Sequence, residues 1–197
     1  MSEYRKRHFL IDANMTLDEK NIIKGCQKGD RKMQRLLYER YSRSMYAVAL
    51  RYSKVQQEAE DITQEAFIKV FKNIQKFRQD SSLGYWIKRI VINTALNHQR
   101  SKLYLYPMVD VTEMVDSPSE ELIISDFSHK ELIELIRELP TGCQTIFNLY
   151  AIEGYKHHEI ADMLEISEGT SKSQYSRAKV LLKEKVLNSS LVKYKDA

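Results

Sequence analysis

Residues 154–185, GYKHHEIADMLEISEGTSKSQYSRAKVLLKEK, carry the pattern of two amphipathic helices that meet at a turn. Apolar or small side chains recur at helical spacing on one face of each helix, as is typical of helices that pack on each other. They are Ile160, Ala161 and Leu164 in the first helix and Tyr175, Ala178 and Leu182 in the second. Ser167 lies between them and can cap the second helix by accepting a hydrogen bond from a backbone N–H in its first turn. The pattern therefore predicts a helix-turn-helix.

The opposite face of the second helix is basic. It carries Lys172, Ser173, Ser176, Arg177, Lys179 and Lys183. From Lys172 to Lys195 there are seven Lys or Arg and one acid, Glu184. Cations neutralise phosphates, and hydroxyls and Arg can reach base edges in a major groove, so this face predicts DNA contact. The alternative is the solvated side of an ordinary helical hairpin.

The composition favours an all-α protein. The 197 residues include only Gly 6 and Pro 3, and long stretches are rich in helix-forming residues. A hydrophobic content of 43% is sufficient for packed cores in one or two domains. Because 31 basic and 27 acidic residues leave a net charge of only +4, a nucleic-acid role has to rest on local patches.

Cysteine usage and hydropathy both favour a location inside the cell. Cys26 and Cys143 lie far apart without a CxxC motif, so we interpret them as buried or incidental thiols rather than as a disulfide or a zinc site. The apolar run Phe9–Ile11 is too short for a signal peptide, and no apolar run reaches the ~18 residues that a bilayer span needs. We expect a soluble, cytoplasmic protein with no segment inserted in a membrane.

Two helices are predicted at the start of the first domain. Thr16 and Glu19 can form a capping box for the first helix, which ends near Gly29. Asp30 can cap the second helix, which is expected to run to about Lys54. The residues expected to be buried are Ile22, Ile23 and Cys26, then Met33, Leu36, Leu37, Met45, Val48, Ala49 and Tyr52.

The third helix, from Gln56 to about Phe77, carries an acidic stripe. Its buried residues are expected to be Ala59, Ile62, Ala66, Val70 and Ile74. The acidic stripe consists of Glu58, Asp61 and Glu65 on another face. Carboxylates one turn apart can bind a divalent metal, but no third acidic or His ligand follows at usable spacing. Docking onto a basic partner surface is the favoured use, and a solvated face paired with the preceding Arg-rich helix is the alternative.

The fourth helix, Leu83 to Lys102, follows a loop at residues 77–82 and has two different faces. The residues expected inside are Trp86, Ile87, Ile90, Val91 and Thr94. The other face carries Arg89, Asn93, Asn97 and Arg100, and no acid occurs from Gly84 to Lys102. Arg neutralises phosphate and Asn pairs with adenine edges, which predicts nucleic-acid contact. The aromatic residues Phe77, Tyr85 and Trp86 either stack on unpaired bases or belong to the core.

Composition divides the chain into two domains. Residues 103–127 contain Pro107, Pro118 and six acids but no Lys or Arg, which predicts a flexible acidic linker. Helices are expected again at 128–139 and, after Pro140, at 141–150. We therefore expect an N-terminal tail at 1–15, domains at 16–102 and 128–187, and a C-terminal tail at 188–197.

The order of these motifs resembles the bacterial sigma-70 family, in particular its two-domain extracytoplasmic function (ECF) branch. The matching segments are LLYERYSRSMYAVALRY, AEDITQEAFIKVFKNIQKF, YWIKRIVINTALNHQR, LIRELPTGCQTIFNLYAIEG and HHEIADMLEISEGTSKSQYSRAK. The resemblance implies an all-α fold with a region 2-like and a region 4-like domain. It also implies a dissociable initiation subunit of RNA polymerase that is not itself an enzyme and needs no cofactor or metal.

The same resemblance implies roles for individual residues. Residues implied to dock on the β′ coiled coil of core polymerase are Asp61, Gln64, Glu65 and Phe67. Those implied to contact the minus-ten element are Gln79, Asp80, Ser81 and Ser82, in a loop that captures a flipped base, and Arg89, Asn93, Asn97 and Arg100. Those implied to contact the minus-thirty-five element are Thr170, Lys172, Ser173, Gln174, Ser176, Arg177 and Lys179. The acidic linker would thread the nucleic-acid channel of the polymerase, and an anti-sigma factor, commonly membrane-anchored, is an expected inhibitor.

The chain departs from the family pattern at several positions. Leu83 replaces a usual Phe, Asn97 an Asp, Ser171 a Val, Gln174 an Arg, Lys156 a Ser or Thr cap, and Glu165 a turn Gly. We expect the Ser171 hydroxyl on the buried side of the recognition helix and a positive φ at Glu165. These departures bear on the base preference of the protein.

Two other classes of protein fit parts of the pattern. A DNA-binding regulator with a sensing or dimerising N-terminal half would bind duplex DNA tightly without polymerase. A metal-dependent nuclease using Asp61 and Glu65 would bind divalent metal, although no Gly-rich phosphate loop, HExxH motif or third ligand supports it.

Overall fold

The computed structural model describes residues 17–105 and 128–195, and within these ranges the chain is helical without a β-strand. The predicted all-α fold is therefore confirmed. Helices α1 to α4 are Leu17–Gln27, Arg31–Leu50, Gln56–Asn73 and Leu83–Leu105, and helices α5 to α8 are His129–Arg137, Thr141–Phe147, His157–Leu164 and Glu168–Lys195. A 3₁₀ turn, Ile74–Lys76, follows α3, and a π-helical turn, Asn148–Ile152, follows α6. Contacts divide the chain into two compact units, Met1–His98 and Gln99–Ala197.

The junction of α1 and α2 forms as predicted. Gly29 has a φ of +79°, a left-handed conformation that glycine adopts without steric cost and that ends α1. The Asp30 carboxylate then accepts hydrogen bonds from the backbone N–H groups of Lys32 at 2.8 Å and Met33 at 3.4 Å. It thereby satisfies two of the free donors at the start of α2.

Helix α2 ends earlier than expected, at Leu50 rather than near Lys54. The next residues turn inward instead of continuing the helix: Tyr52 and Ser53 are both fully buried. The Ser53 hydroxyl donates to the Ala49 carbonyl at 2.9 Å, which ties this turn to the end of the helix.

The core of the first unit largely follows the predicted helical spacing, although Met33, Trp86 and Ile90, which were expected inside, are only partly buried. Ala59, Ile62, Ala66 and Val70 on α3, and Ile74 in the 3₁₀ turn that follows, are at most 1% exposed. On α2, Leu37 is fully buried, but Leu36 is 44% exposed, so the prediction that Leu36 belongs to the core is wrong. Consecutive helical residues point about 100° apart, and Leu37 takes the inward position.

The second unit packs α8 against α6 and α7. Ser128 and Glu131 form a capping box at the start of α5, because the Ser128 Oγ accepts from the Glu131 N–H at 3.3 Å and Glu131 accepts from the Ser128 N–H at 2.8 Å. The core of the second unit contains Ile136, Leu139, Cys143 and Ala178, with Phe147, Ile152, Leu181 and Leu182 packed around them. Helix α8 runs to Lys195 and therefore includes most of the predicted C-terminal tail.

Several expectations fall on residues outside the described ranges. These are the tail at 1–15, the Thr16 side of the capping box, and residues 106–127 of the acidic linker. Helix α4 extends to Leu105, slightly into the predicted linker. None of the described helices is both long and apolar enough to cross a bilayer.

Candidate docking and nucleic-acid interfaces

The acidic stripe of α3 forms a surface ridge in which each carboxylate has a different environment. We call Glu58, Asp61 and Glu65 the acidic ridge. Asp61 is exposed, as is its neighbour Gln64. Glu58 is partly buried and accepts a hydrogen bond from the Lys54 backbone N–H at 3.0 Å. Within residues 17–105 and 128–195 no ion pair involves Asp61, so its carboxylate is open to a partner.

Glu65 is already engaged within the first unit. One carboxylate oxygen lies 2.7 Å from the Lys69 Nζ, and the other lies 2.5 Å from the His98 Nε2 on α4. The hydrogen bond from Lys69, and then that from His98, holds the pKa of Glu65 below its ordinary value. Lys69 also lies 3.2 Å from the Thr94 Oγ1, so this network joins the acidic ridge to α4. The spacing of four residues could have indicated Lys69, but His98 is 33 residues from Glu65 and gives no local signal.

Phe67 does not lie on the same surface as Asp61. It is only 2% exposed, and its ring contacts Tyr38 of α2 edge-on at 4.8 Å and Phe71 at 6.1 Å. The interpretation of Phe67 as a surface contact is therefore wrong, because helical spacing directs it into the α2–α3 interface. Ile68, the next residue, is 54% exposed instead.

The Arg–Asn stripe of α4 lies on the surface of the first unit. Arg89, Asn93 and Asn97 are all exposed. Arg100 continues the spacing in the same helix, and its side chain lies outside the described set. The opposite side of α4 is apolar, with Ile87 and Val91 fully buried. The helix therefore presents polar side chains to solvent and packs on the rest of the unit mainly through apolar ones.

The loop before α4 combines strain with exposure. Gln79 has a φ of 62°, which is uncommon for a residue with a Cβ and costs about 1 kcal/mol. Gln79 and Asp80 are exposed, while Ser81 is partly buried. Ser82 caps α4 by accepting a hydrogen bond from the Tyr85 N–H at 3.2 Å. The cap fixes the end of the loop and leaves its tip open to solvent.

The aromatic residues beside this loop are divided between core and surface. Phe77 is 6% exposed and packs against Trp86, with ring centroids 5.1 Å apart. Tyr85 and Trp86 are partly exposed. Phe77 is thus a core residue, and only the other two rings have surface area that a base could stack on.

The helix-turn-helix forms as the sequence predicts. Ser167 accepts a hydrogen bond from the Thr170 N–H at 2.9 Å, and its hydroxyl also lies 2.8 Å from the Thr170 Oγ1. Glu165, between the helices, has the expected positive φ, 57°. At the start of α7, Glu159 accepts from the Lys156 N–H at 2.8 Å, which is the glutamate half of a capping box, while the Lys156 side chain caps no backbone N–H of the helix.

Most of the predicted basic face of α8 is accessible. Lys172 and Lys179 are exposed, whereas Ser173, Ser176 and Arg177 are partly buried. Lys172 pairs with Glu168 at 2.8 Å, and the Lys179 Nζ lies 5.4 Å from the centre of the Tyr175 ring. Thr170, which is partly buried, belongs to the Ser167 cap.

Gln174 is an exception, because its side chain points inward. It is 5% exposed, and its carbonyl oxygen accepts a hydrogen bond from the Cys143 thiol at 3.1 Å. The interpretation of Gln174 as a DNA contact is therefore wrong. Gln174 lies three residues after Ser171 and four before Ala178, both fully buried, and these three residues form the inward stripe of α8.

A contact between His157 and Ser171 gave no signal in the sequence. The His157 Nδ1 lies 2.9 Å from the Ser171 Oγ, on the buried side of α8 where the hydroxyl was expected. The imidazole stacks on Tyr150 with centroids 4.2 Å apart. Burial lowers the pKa of His157, and the nearby Lys172 lowers it further.

Family models match both halves of the chain. A family model described as Sigma-70 region 2 matches residues 37–103, and one described as Sigma-70, region 4 matches residues 129–182. The RNA polymerase sigma-H factor of Pseudomonas aeruginosa is 30% identical over 174 residues, which cover 82% of this chain and 90% of that protein. The ECF RNA polymerase sigma-E factor of Haemophilus influenzae is 28% identical over 183 residues, covering 86% and 96%.

A solved structure of the sigma factor RpoE with the anti-sigma factor NepR from Bartonella quintana is similar to 78% of this chain and 96% of that one. Its TM-score is 0.49 and its sequence identity 20%.

Proposed function

The chain belongs to the sigma-70 family and is an ECF-type sigma factor, and from this premise we propose how its surfaces act. We propose that it binds core RNA polymerase, recognises minus-ten and minus-thirty-five promoter elements, and initiates transcription. The observation that carries this proposal is the order of the two matched regions, with an exposed carboxylate on α3 and cationic faces on α4 and α8.

Core polymerase is proposed to dock on α3 through Asp61, Gln64 and Glu65, with the β′ coiled coil as its partner. Asp61 and Gln64 are exposed and can contact a basic helix directly. Glu65 would exchange its contacts with Lys69 and His98 for a cation of the polymerase. Phe67 would support this surface from below by fixing α3 against Tyr38.

The minus-ten element is proposed to contact α4 and the loop before it. The proposed residues are Gln79, Asp80, Ser81, Ser82, Arg89, Asn93, Asn97 and Arg100. Exposed Arg and Asn side chains suit phosphate and adenine contacts, respectively. The exposed loop tip at Gln79 and Asp80 can contact a base that has left the stack.

The minus-thirty-five element is proposed to contact α8. The proposed residues are Thr170, Lys172, Ser173, Ser176, Arg177 and Lys179. A helix with its cap at Ser167 and cations along one face fits a major groove, with Arg177 suited to a guanine edge.

The wider setting is also a proposal. Domains at 16–102 and 128–187 would act on one promoter, joined by an acidic linker that enters the polymerase channel. The protein would act in the cytoplasm, where the polymerase is, would catalyse no reaction of its own, and would be inhibited by an anti-sigma factor.

Transcription by purified core polymerase on a library of promoter fragments tests the proposal. The expected result is protein-dependent transcripts that start downstream of a shared bipartite sequence. The alternative, a regulator that acts without polymerase, predicts tight duplex binding by the protein alone in a mobility-shift assay and no such transcripts.

A further inference from the structure

His157 and Ser171 join the two helices of the helix-turn-helix near their N-terminal ends. His157 is the first residue of α7, and Ser171 lies in the first turn of α8. The Nδ1–Oγ distance is 2.9 Å, and Ser171 is fully buried. A partly buried hydrogen bond therefore connects the supporting helix to the helix that carries the proposed minus-thirty-five contacts.

Two tyrosine rings hold the imidazole in this orientation. Its plane is stacked on Tyr150 at 4.2 Å with an angle of 14°, and Tyr175 lies 5.8 Å away. Tyr150 and Tyr175 also contact each other at 4.5 Å. Burial raises the pKa of the Tyr175 phenol, and the nearby Tyr150 raises it further. The imidazole cannot turn away from Ser171 without breaking these ring contacts.

The charged groups around His157 favour its neutral form. Burial is the largest cause that lowers its pKa, Lys172 lowers it further, and Glu168 acts in the opposite direction. The charge of Glu168 is offset by its ion pair with Lys172 at 2.8 Å. On α7 itself, the positive end of the helix dipole at His157 also opposes a positive charge on the imidazole.

We propose that the His157–Ser171 hydrogen bond is a proton-sensitive latch, which positions the first turn of α8 for promoter contact and is loosened when His157 is protonated. This inference rests on the proposed minus-thirty-five function of α8. With Nδ1 assigned as the acceptor in the neutral imidazole, the Ser171 hydroxyl donates to it. Protonation makes Nδ1 a donor only, so this bond is kept only if the buried Ser171 hydroxyl turns to accept from it. It also places a positive charge close to Lys172. Lys172 and Ser173 follow Ser171 directly, so a shift of this turn displaces both proposed contacts.

The latch predicts a pH dependence opposite to that of a simple charge effect. A histidine that titrated freely beside DNA would strengthen phosphate binding as the pH falls. Here the folded state favours the neutral imidazole, because the pKa of His157 is lowered. The stabilising contribution is therefore complete above the ordinary histidine pKa of about 6.5 and is lost as the pH falls through the lowered value.

DNA affinity of the holoenzyme as a function of pH tests the latch. The probe is a promoter fragment selected by the wild-type holoenzyme from a random library at neutral pH. Wild-type affinity should fall about fivefold between neutral pH and about pH 5, the scale of one lost hydrogen bond. His157→Asn, which keeps a polar group near Nδ1 but does not titrate, and Ser171→Ala should both give flatter profiles. His158→Asn, which changes the exposed neighbouring histidine, should follow the wild type.

A wild-type affinity that rises in acid, or a His157→Asn profile equal to the wild-type profile, would overturn the latch. An NMR titration of the free full-length protein provides a readout without DNA. The pKa of His157 should lie below the ordinary histidine value and move toward it in Ser171→Ala. An ordinary pKa in the wild type would also overturn the latch. A holoenzyme that binds no fragment at neutral pH would instead count against the proposed function, and the NMR titration would still decide on the latch.

Discussion

Helices α4 and α8 both carry a polar face toward solvent, but their buried faces differ in chemistry. Behind the Arg–Asn stripe of α4 lie mostly apolar residues such as Ile87 and Val91, both fully buried, with Thr94 and Gln99 as buried polar exceptions. Behind the basic face of α8 lie Ser171 and Gln174, which are 0% and 5% exposed, respectively. Hydropathy thus identifies the outward face of a helix reliably only when the inward face is apolar.

The polar inward face of α8 depends on specific partners. Ser171 bonds to His157, and Gln174 accepts a hydrogen bond from the Cys143 thiol. Each partner satisfies a polar group that would otherwise cost about 1 to 3 kcal/mol when buried. We infer that α8 depends on its neighbours for position more than α4 does, so the two helices should respond differently to mutation.

The largest expected effect comes from substitutions on α3. Loss of polymerase binding would remove the holoenzyme in which α4 and α8 are both proposed to contact the promoter. Asp61→Lys combined with Glu65→Lys should weaken core polymerase binding about a hundredfold or more, because like charges then face each other across the interface. Asp61 is exposed, but Glu65→Lys also removes the contacts with Lys69 and His98, so the melting temperature should fall modestly while the protein stays folded. Binding is measured by titration of labelled protein with purified core enzyme.

Glu39→Lys is the matched control, because Glu39 is also an exposed glutamate of the first unit, on α2. It should bind polymerase like the wild type. Unchanged binding by the double variant would refute the docking assignment of α3.

The next effect sharpens the contrast within α8. Arg177→Ala should lower promoter affinity by about 1 to 3 kcal/mol, the value of a good base contact, with little change in stability. Gln174→Ala should instead lower the free energy of unfolding by about 1 to 3 kcal/mol through loss of the Cys143 partner. Promoter binding by the holoenzyme and urea unfolding of the free protein separate the two outcomes. If Gln174→Ala changed base preference and left stability intact, the inward placement of Gln174 would be contradicted.

A smaller effect is expected on the salt dependence of DNA affinity, which we compare for Arg89 on α4 and Arg177 on α8. Arg89→Ala should reduce the slope of log affinity against log salt by about one, as expected for one lost phosphate contact. Arg177→Ala should reduce this slope less if Arg177 contacts a base rather than a phosphate. Titrations of one promoter fragment at several salt concentrations measure both slopes, and Lys28→Ala, in the exposed turn after α1, serves as the control. Equal slopes for Arg89→Ala and the control would remove Arg89 from the DNA interface.

The smallest expected effect concerns the carboxylate of Glu65. Hydrogen bonds from Lys69 and His98 lower its pKa, so it stabilises the fold above its ordinary pKa of 4.5, and this contribution is lost as the pH falls through the lowered value. Glu65→Gln should therefore lower the melting temperature slightly at neutral pH and not in strong acid. Glu60→Gln, at an exposed position of the same helix, should show no such difference. An equal effect of Glu65→Gln at both pH values would contradict this origin of the stability.

Local patterns in the sequence predicted most of the fold. The caps at Asp30, Ser128 and Ser167 and the positive φ at Glu165 depend on neighbouring residues, and the buried stripe of α3 is apolar at regular spacing. The outward stripe of α4 was predictable for the same reason.

The features that the sequence did not predict depend on contacts between distant residues. The His98 contact of Glu65 and the Cys143 contact of Gln174 join positions 33 and 31 residues apart, respectively. Phe67 and Leu36 were misassigned because each is followed by another apolar residue on a different face of its helix. Phe67 is buried and Ile68 exposed, whereas Leu36 is exposed and Leu37 buried. These positions could be resolved only once the packing partners of each helix were known.

Site-specific photocrosslinking in the holoenzyme tests the central claim most directly. Photoreactive residues at positions 97, 174 and 177 would be placed one at a time, with a promoter fragment selected by the wild-type holoenzyme. We expect crosslinks from position 97 to the minus-ten element, from position 177 to the minus-thirty-five element, and none from position 174. Crosslinks from positions 97 and 177 to the same element, or equally strong crosslinks without core polymerase, would contradict this claim.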